Sequence, residues 1–351
     1  MLFLVKTTIS ILLAKERGVD DEMLVSLLLI EEISAQKRPL INAENETVKS
    51  MYWKRAHHNY KEEENTFRVV LAETLKYAEQ VTIIGVLREG IKYLAPIEIL
   101  SIMEALHSIE VGERNSLTSY SLKEILKVLQ DEYRNAEECG RVAQLELNYR
   151  GLLEWEDMAC FKKCLELSPK LFAEMISIIY KKDDGKDDEI NPLDEKLVSS
   201  IYSLYYDAIF CPAESNGKVD KEKLFVWIAE FKELLKQQSQ TRLFSHFLGR
   251  IFAYSPIGED GYYPHEAVRD AIQEYGDQSL ENEYVISVFN QRGVFSPTGG
   301  VAERELAKKY KKNADAVRVR HSKVASIYDR LSERYLYDAD SERECEEYAG
   351  V

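Results

Sequence analysis

Apolar residues recur at spacings of three and four along nearly the whole chain, and that period admits one kind of element. Phe67, Val70, Leu71, Leu75 and Ala78 form one stripe, and Leu122, Ile125, Leu126, Leu129 and Tyr133 a second. Leu171, Phe172, Met175, Ile178 and Ile179 form another, followed by Leu197, Ile201, Leu204, Tyr205 and Ala208. Leu224, Trp227, Ile228, Phe231 and Leu235 continue the pattern. Near the end, Leu306, Tyr310, Ala314 and Val317 pair with Val324, Ile327, Tyr328, Leu331 and Tyr335. On an α-helix such residues share a face, whereas on a strand they scatter to both sides. Each helix must then bury its stripe against neighbours. Only 8 prolines and 16 glycines interrupt 351 residues. An all-β chain needs turn residues about every ten positions. The expected fold is all-α, with about fifteen helices. They are expected as HEAT/TPR-like helix pairs in an irregular α-solenoid, or as a multi-helix bundle. No crisp tetratricopeptide or ankyrin signature is present.

Punctuation along the chain agrees with this period. Pro96, Pro169 and Pro264 stand where a first helical turn tolerates proline. Ser168 and Asp220 suit N-caps, and Asn216-Gly217 and Asp260-Gly261 suit turns. One β-branched run, Val81 to Leu87, has no partner strand and is read as helix. Two segments are expected: a helical-repeat segment over 1–135 and a C-terminal helical domain over 136–351. An Asp-rich loop or linker with Gly185 and Pro192 lies near 181–194, and a weaker break runs from Gly112 to Ser119. Residues 1–14 are apolar but lack a leading charge cluster and a cleavage site. They fall short of the roughly 20 residues that span a bilayer. Leu2, Val5, Ile9, Leu12 and Leu13 predict a core helix there. No membrane association is expected.

The net charge of −15 and pI of about 5.1 disfavour attraction of the whole surface to nucleic acid or anionic lipid. Five cysteines at irregular spacing read as free thiols in a reducing, cytoplasmic compartment.

The motifs that carry chemistry are thin. Asp183 to Glu189 is acidic, but its glycine stands third and no Glu closes a twelve-residue calcium loop. Cys160 and Cys164 lie four apart without two further zinc ligands nearby. His57 and His58 follow Trp53, Lys54 and Arg55 with no third ligand pattern, and the other histidines are isolated. Asp260, Tyr262, His265, Glu266 and Arg269 cluster at a loop-to-helix junction. They are read as a turn followed by a helix start, with Glu266 favouring the positive helix end. No nucleophile elbow, Walker loop or dinucleotide fingerprint exists. The chain is therefore not expected to be an enzyme, and no cofactor or metal is implied. Gly299-Gly300 ahead of a helix is weak evidence for an anion site. Lys308, Lys309, Lys312, Arg318, Arg320 and Lys323 make a dense basic helix hairpin that suits phosphate contact. Glu303, Glu305, Asp315 and Asp329 are mixed among them and favour a solvated or protein-binding face. Arg292 is expected to be structural, tying the Asn290–Gly300 loop to the next helix.

The second half, from Glu138 to Asp340, resembles the C-terminal helical region of large, mostly uncharacterised bacterial multidomain proteins. The looser matches are Gln144-Leu145-Glu146 with Tyr149, then Ser168-Pro169 with Phe172, then Gly217 to Asp220 with Trp227, and the run Gly261 to Asp270. The specific part is Asn290, Arg292 and Gly293 joined to Gly299, Gly300, Glu303 and Arg304. Some parent proteins of this kind are of defence or mobile-element type. The resemblance implies a helical, cytoplasmic, non-membrane module and transfers no catalytic residue. Beginning inside helical-repeat sequence, the chain is expected to be a split subunit, a truncated reading frame or a C-terminal fragment. The expected function is a non-catalytic scaffold or recognition module of a bacterial, defence-type assembly that binds a protein partner. The alternative is a nucleic-acid-binding module acting through the basic hairpin.

Overall fold

The structure, a computed structural model, describes residues 10–30, 33, 38–56, 63–106, 116–133, 136–183, 195–292 and 299–349. Apart from one isolated bridge position and a two-residue hairpin, every regular element among them is helical. The chain divides into two compact units, 1–161 and 162–351. The helix that begins near 136 therefore belongs with the first unit. Residues 184–194 and Gly293 lie outside the described residues, as do His57, His58 and His107.

In the first unit α1 covers residues 10–16 in its described part. Its buried side is Ile11 and Ala14, while Leu12 and Leu13 are exposed, so the apolar face is rotated from the expected one. Next come α2 (Asp21–Leu29), α3 (Arg38–Asn42) and α4 (Glu46–Arg55). Asp20 and Asn45 cap α2 and α4 by accepting from the Met23 and Val48 amides. After α5 (Glu64–Tyr77), the β-branched run falls inside α6 (Gln80–Glu89) and is helical as expected. Gly90 ends α6 against the Phe67 ring. A Cβ there would lie 1.9 Å from a ring carbon, so only glycine admits this closure. Helix α7 (Pro96–Leu106) starts on its proline. Then follow α8 (Ser116–Glu132), α9 (Ala136–Asn148) and α10 (Ala159–Leu167), the last crossing the division between units. The α8 stripe is buried throughout, whereas Leu75 of α5 is exposed.

The second unit continues with α11 (Lys170–Ile179) and α12 (Glu195–Asp207). Pro169 takes the cap position of α11, and Ser168 Oγ accepts from the Lys170 amide at a long 3.4 Å. A hairpin of β1 (Glu214–Ser215) and β2 (Lys218–Val219) follows, with Glu214 opposite Val219. Its turn is Asn216-Gly217, both at positive φ, the conformation that tight hairpins demand. Helix α13 (Lys221–Gln237) is capped by Asp220. Four further helices are α14 (Phe244–Phe252), α15 (Glu266–Tyr275), α16 (Gln278–Asn290) and α17 (Val301–Val317). The last is α18 (Ser322–Ala349). The core centres on Phe172, whose ring lies 5.2 Å from Phe210, 5.6 Å from Phe231 and 5.7 Å from Phe247. Trp227 joins this cluster and donates Nε1–H to the Leu165 carbonyl at 3.0 Å, so its one polar atom is satisfied inside the core.

Candidate functional site

The sequence-specific stretches converge at two places in the second unit. The first is the junction of α16, α17 and α18. Arg292 pairs with Glu303, whose side chain is fully buried in the first turn of α17. The Arg292 guanidinium also lies 5.8 Å from the Tyr335 ring centroid. Gly299 and Gly300 both take positive φ, and a Cβ on Gly300 would sit 2.3 Å from the Ala339 carbonyl oxygen of α18. The Gly300 amide donates to the Glu342 carboxylate at 3.0 Å. The positive end of α17 is thus already answered by an anion from within the chain, which removes it as an external anion site. Arg304 pairs with Asp340 at 3.0 Å, and Asn290 is exposed at the end of α16. These residues form a clamp that seats α17 on α18.

The second convergence is a cleft of about 400 Å³ where the start of α15 faces the α17–α18 turn. The 258–262 loop and the first two turns of α15 supply Asp260, Tyr262, Glu266, Arg269 and Asp270. The end of α17 supplies Ala316 and Val317, and the turn supplies Arg320 and His321. Gly258 and Gly261 let the loop fold tightly, with the Gly258 amide donating to the Tyr262 carbonyl at 2.8 Å. His265 is the N-cap of α15, its Nδ1 accepting from the Ala267 amide at 3.2 Å. Its own amide donates to Ser255 Oγ at 3.0 Å.

Arg269 is 2% exposed and donates Nη2–H to Asp260 at 2.5 Å. Glu266 lies 3.6 Å from the same nitrogen and accepts from the Asp260 amide at 3.0 Å. Burial alone pushes the Asp260 carboxyl upward. Hydrogen bonds from Arg269 and the Tyr262 amide outweigh it and hold the group below its ordinary value. Asp270 behaves likewise: burial raises it, but Lys221 at 2.6 Å and His321 Nε2 at 2.9 Å pull it down. Arg320 and His321 were not tied to the junction by sequence. His321 lies 51 residues from Asp270, and no local spacing encodes the approach of the α17–α18 turn.

The basic hairpin divides in two. Arg318 is spent on Asp315 and Asp329, which also holds Lys311 at 2.9 Å. Lys323 donates Nζ–H to the Gly276 carbonyl at 2.7 Å. Lys308, Lys309, Lys312 and Arg320 are exposed and have no ion-pair partner among the described residues. Lys308 and Lys312 fall four residues apart on one face of α17, and Arg320 lies in the turn that follows it.

Cys139, Cys160 and Cys211 are buried free thiols and Cys164 is half-buried. No group of three or more His, Cys, Asp or Glu suited to a metal ion occurs among the described residues. No helix among them is long and apolar enough to cross a membrane. No protein-family model matches the chain, and no curated protein or solved structure matches it significantly.

Proposed function

We propose that this chain is a non-catalytic helical recognition module, cytoplasmic and bacterial, that binds a protein partner in a defence-type assembly. The observation that carries this reading is on α12. Its Ile201, Leu204 and Tyr205 are buried, with Ala208 just past its end, as an amphipathic helix requires. A second apolar face remains in solvent: Tyr202 is 52% exposed, Tyr206 66%, and Ile209 just beyond the helix 44%. Arg250 braces this face, its guanidinium 5.8 Å from the Tyr206 ring centroid and donating to the Tyr206 carbonyl at 2.7 Å. Tyrosine and arginine held rigidly at a surface are the residues that dominate protein interfaces. In the first unit, α4 packs on α2 and α5, α5 on α6, and α8 on α6, α7 and α9. Contact between near neighbours in sequence is how stacked helix pairs of a solenoid pack, and it supports the helical-repeat reading. The double variant Tyr202→Ala/Tyr206→Glu should fold normally by circular dichroism and lose the proteins that wild type retains from its native host. Recovery of the same proteins by both would overturn the assignment of this face.

One observation favours the second reading. The unpaired Lys308, Lys309 and Lys312 give α17 exposed cations for phosphates, with Arg320 in the turn beyond it. Lys308→Glu, Lys309→Glu and Lys312→Glu together should abolish DNA or RNA retention and leave thermal stability unchanged. Absence of retention by wild type at low salt ends this reading and leaves the first alone.

A further inference from the structure

We propose that the cleft between the start of α15 and the α17–α18 turn binds one oxyanion group, a phosphate or a carboxylate, carried by a small molecule. Its volume of about 400 Å³ lies in the range of small-ligand sites. The argument rests on which polar atoms are already committed. Asp260 accepts from Arg269 and from the Tyr262 amide, at 2.5 and 3.1 Å. Glu266 accepts from the Asp260 amide. Asp270 faces Lys221 on one oxygen and His321 on the other. All three carboxylates are therefore engaged by donors of the protein itself.

What the cleft still offers is donors. Arg320 is exposed, and its guanidinium has no partner among the described residues. The Tyr262 hydroxyl has none either. Arg269 is buried in the wall and commits Nη2 to Asp260, so it contributes its charge to the cleft. A ligand that completes this set must bring acceptors. A planar guanidinium matches an oxyanion through paired N–H donors. The inference is independent of the partner-binding face on α12.

The test is titration of the full chain at low ionic strength with inorganic phosphate and, separately, acetate, read by calorimetry. Wild type should show saturable binding to at least one of them. Arg320→Gln, an exposed position that leaves the fold intact, should weaken that binding at least tenfold. Tyr262→Phe should weaken it several-fold. Lys236→Gln, on the surface of α13 and away from the cleft, should leave it unchanged. A preference for phosphate identifies a phosphoryl ligand and a preference for acetate a carboxylate; either supports the site. No saturation with either anion, equal affinity of Arg320→Gln and wild type, or an equal loss in Lys236→Gln would overturn it.

Discussion

Replacing Arg292 with alanine should destabilise the second unit by about 3–5 kcal/mol, the cost of stripping one partner from a buried ion pair. Glu303 is 0% exposed and sits in the first turn of α17, where a carboxylate also meets the positive helix end. Without its guanidinium the buried carboxylate loses the cation that offsets its desolvation. The truncation also removes the cation over the Tyr335 ring. Arg292→Lys should recover only part of the loss, because a compact ammonium reproduces neither the planar fork nor the stacking. A double replacement, Arg292→Met with Glu303→Leu, should be much milder than Arg292→Ala, since it removes the charge together with its counter-charge. Urea denaturation followed by circular dichroism measures all three. A loss below about 1 kcal/mol for Arg292→Ala would place the pair with weak surface bridges and refute its structural role.

Arg292 also shows what the sequence carries about the site. A loop arginine followed by a glycine pair and an acid-rich helix start reads as an intramolecular tie, and the geometry supplies the partner, Glu303 rather than the exposed Glu305. Local order fixed that much because Arg292 and Glu303 lie eleven residues apart, across one loop. The remaining contacts of the region come from α18. The Glu342 carboxylate at the Gly300 amide and the Asp340 carboxylate at Arg304 lie 42 and 36 residues away. Nothing in the spacing of α17 announces them, so Gly299-Gly300 looked open when it is filled. Lys323 commits one of its three N–H donors inside the chain for a similar reason. Its reach to the Gly276 carbonyl depends on how α18 crosses the end of α15.

The helical architecture was legible because period and punctuation agree over long segments. The α8 and α13 stripes are buried at every expected position. Expectation and structure part where packing turns a different face inward, as in the described part of α1. Leu75 in the last turn of α5 is exposed, and Ala78 lies just past the helix end. The hairpin is different in kind. Asn216-Gly217 was recognisable as a turn, but strands of two residues are too short to show alternation. The cleft was half legible. Its loop residues cluster in sequence, while Asp270, Arg320 and His321 meet only through tertiary packing.

The first unit carries its own sharp test in Glu146, a carboxylate with 0% exposure that caps α10 from a neighbouring helix. One oxygen accepts from the Cys160 amide at 3.1 Å and from Gln130 at 2.8 Å; the other accepts from the Phe161 amide at 2.6 Å. Those two amides belong to the first turn of α10 and have no partner within the helix. Glu146→Ala should therefore cost about 2–4 kcal/mol at pH 5 by orphaning buried donors. Burial raises the Glu146 carboxyl from its ordinary 4.5 to about 7, against the opposing hydrogen bonds from Gln130 and the two amides. The folded chain then binds this proton more tightly than the unfolded chain does. Its contribution is complete below pH 4.5 and is lost as pH rises toward 7, by roughly 3 kcal/mol in total. Glu166, pushed by burial to about 7, acts in the same direction. The depressed carboxyls Asp260, Asp270 and Asp329 act oppositely, losing stability only as pH falls below about 4. The window from 4.5 to 7 thus separates the two groups. The stability advantage of wild type over Glu146→Gln should shrink across that window by an amount approaching this figure, while Glu166 leaves both proteins a shared slope. Parallel pH profiles for wild type and Glu146→Gln would show that the buried carboxyl does not titrate there.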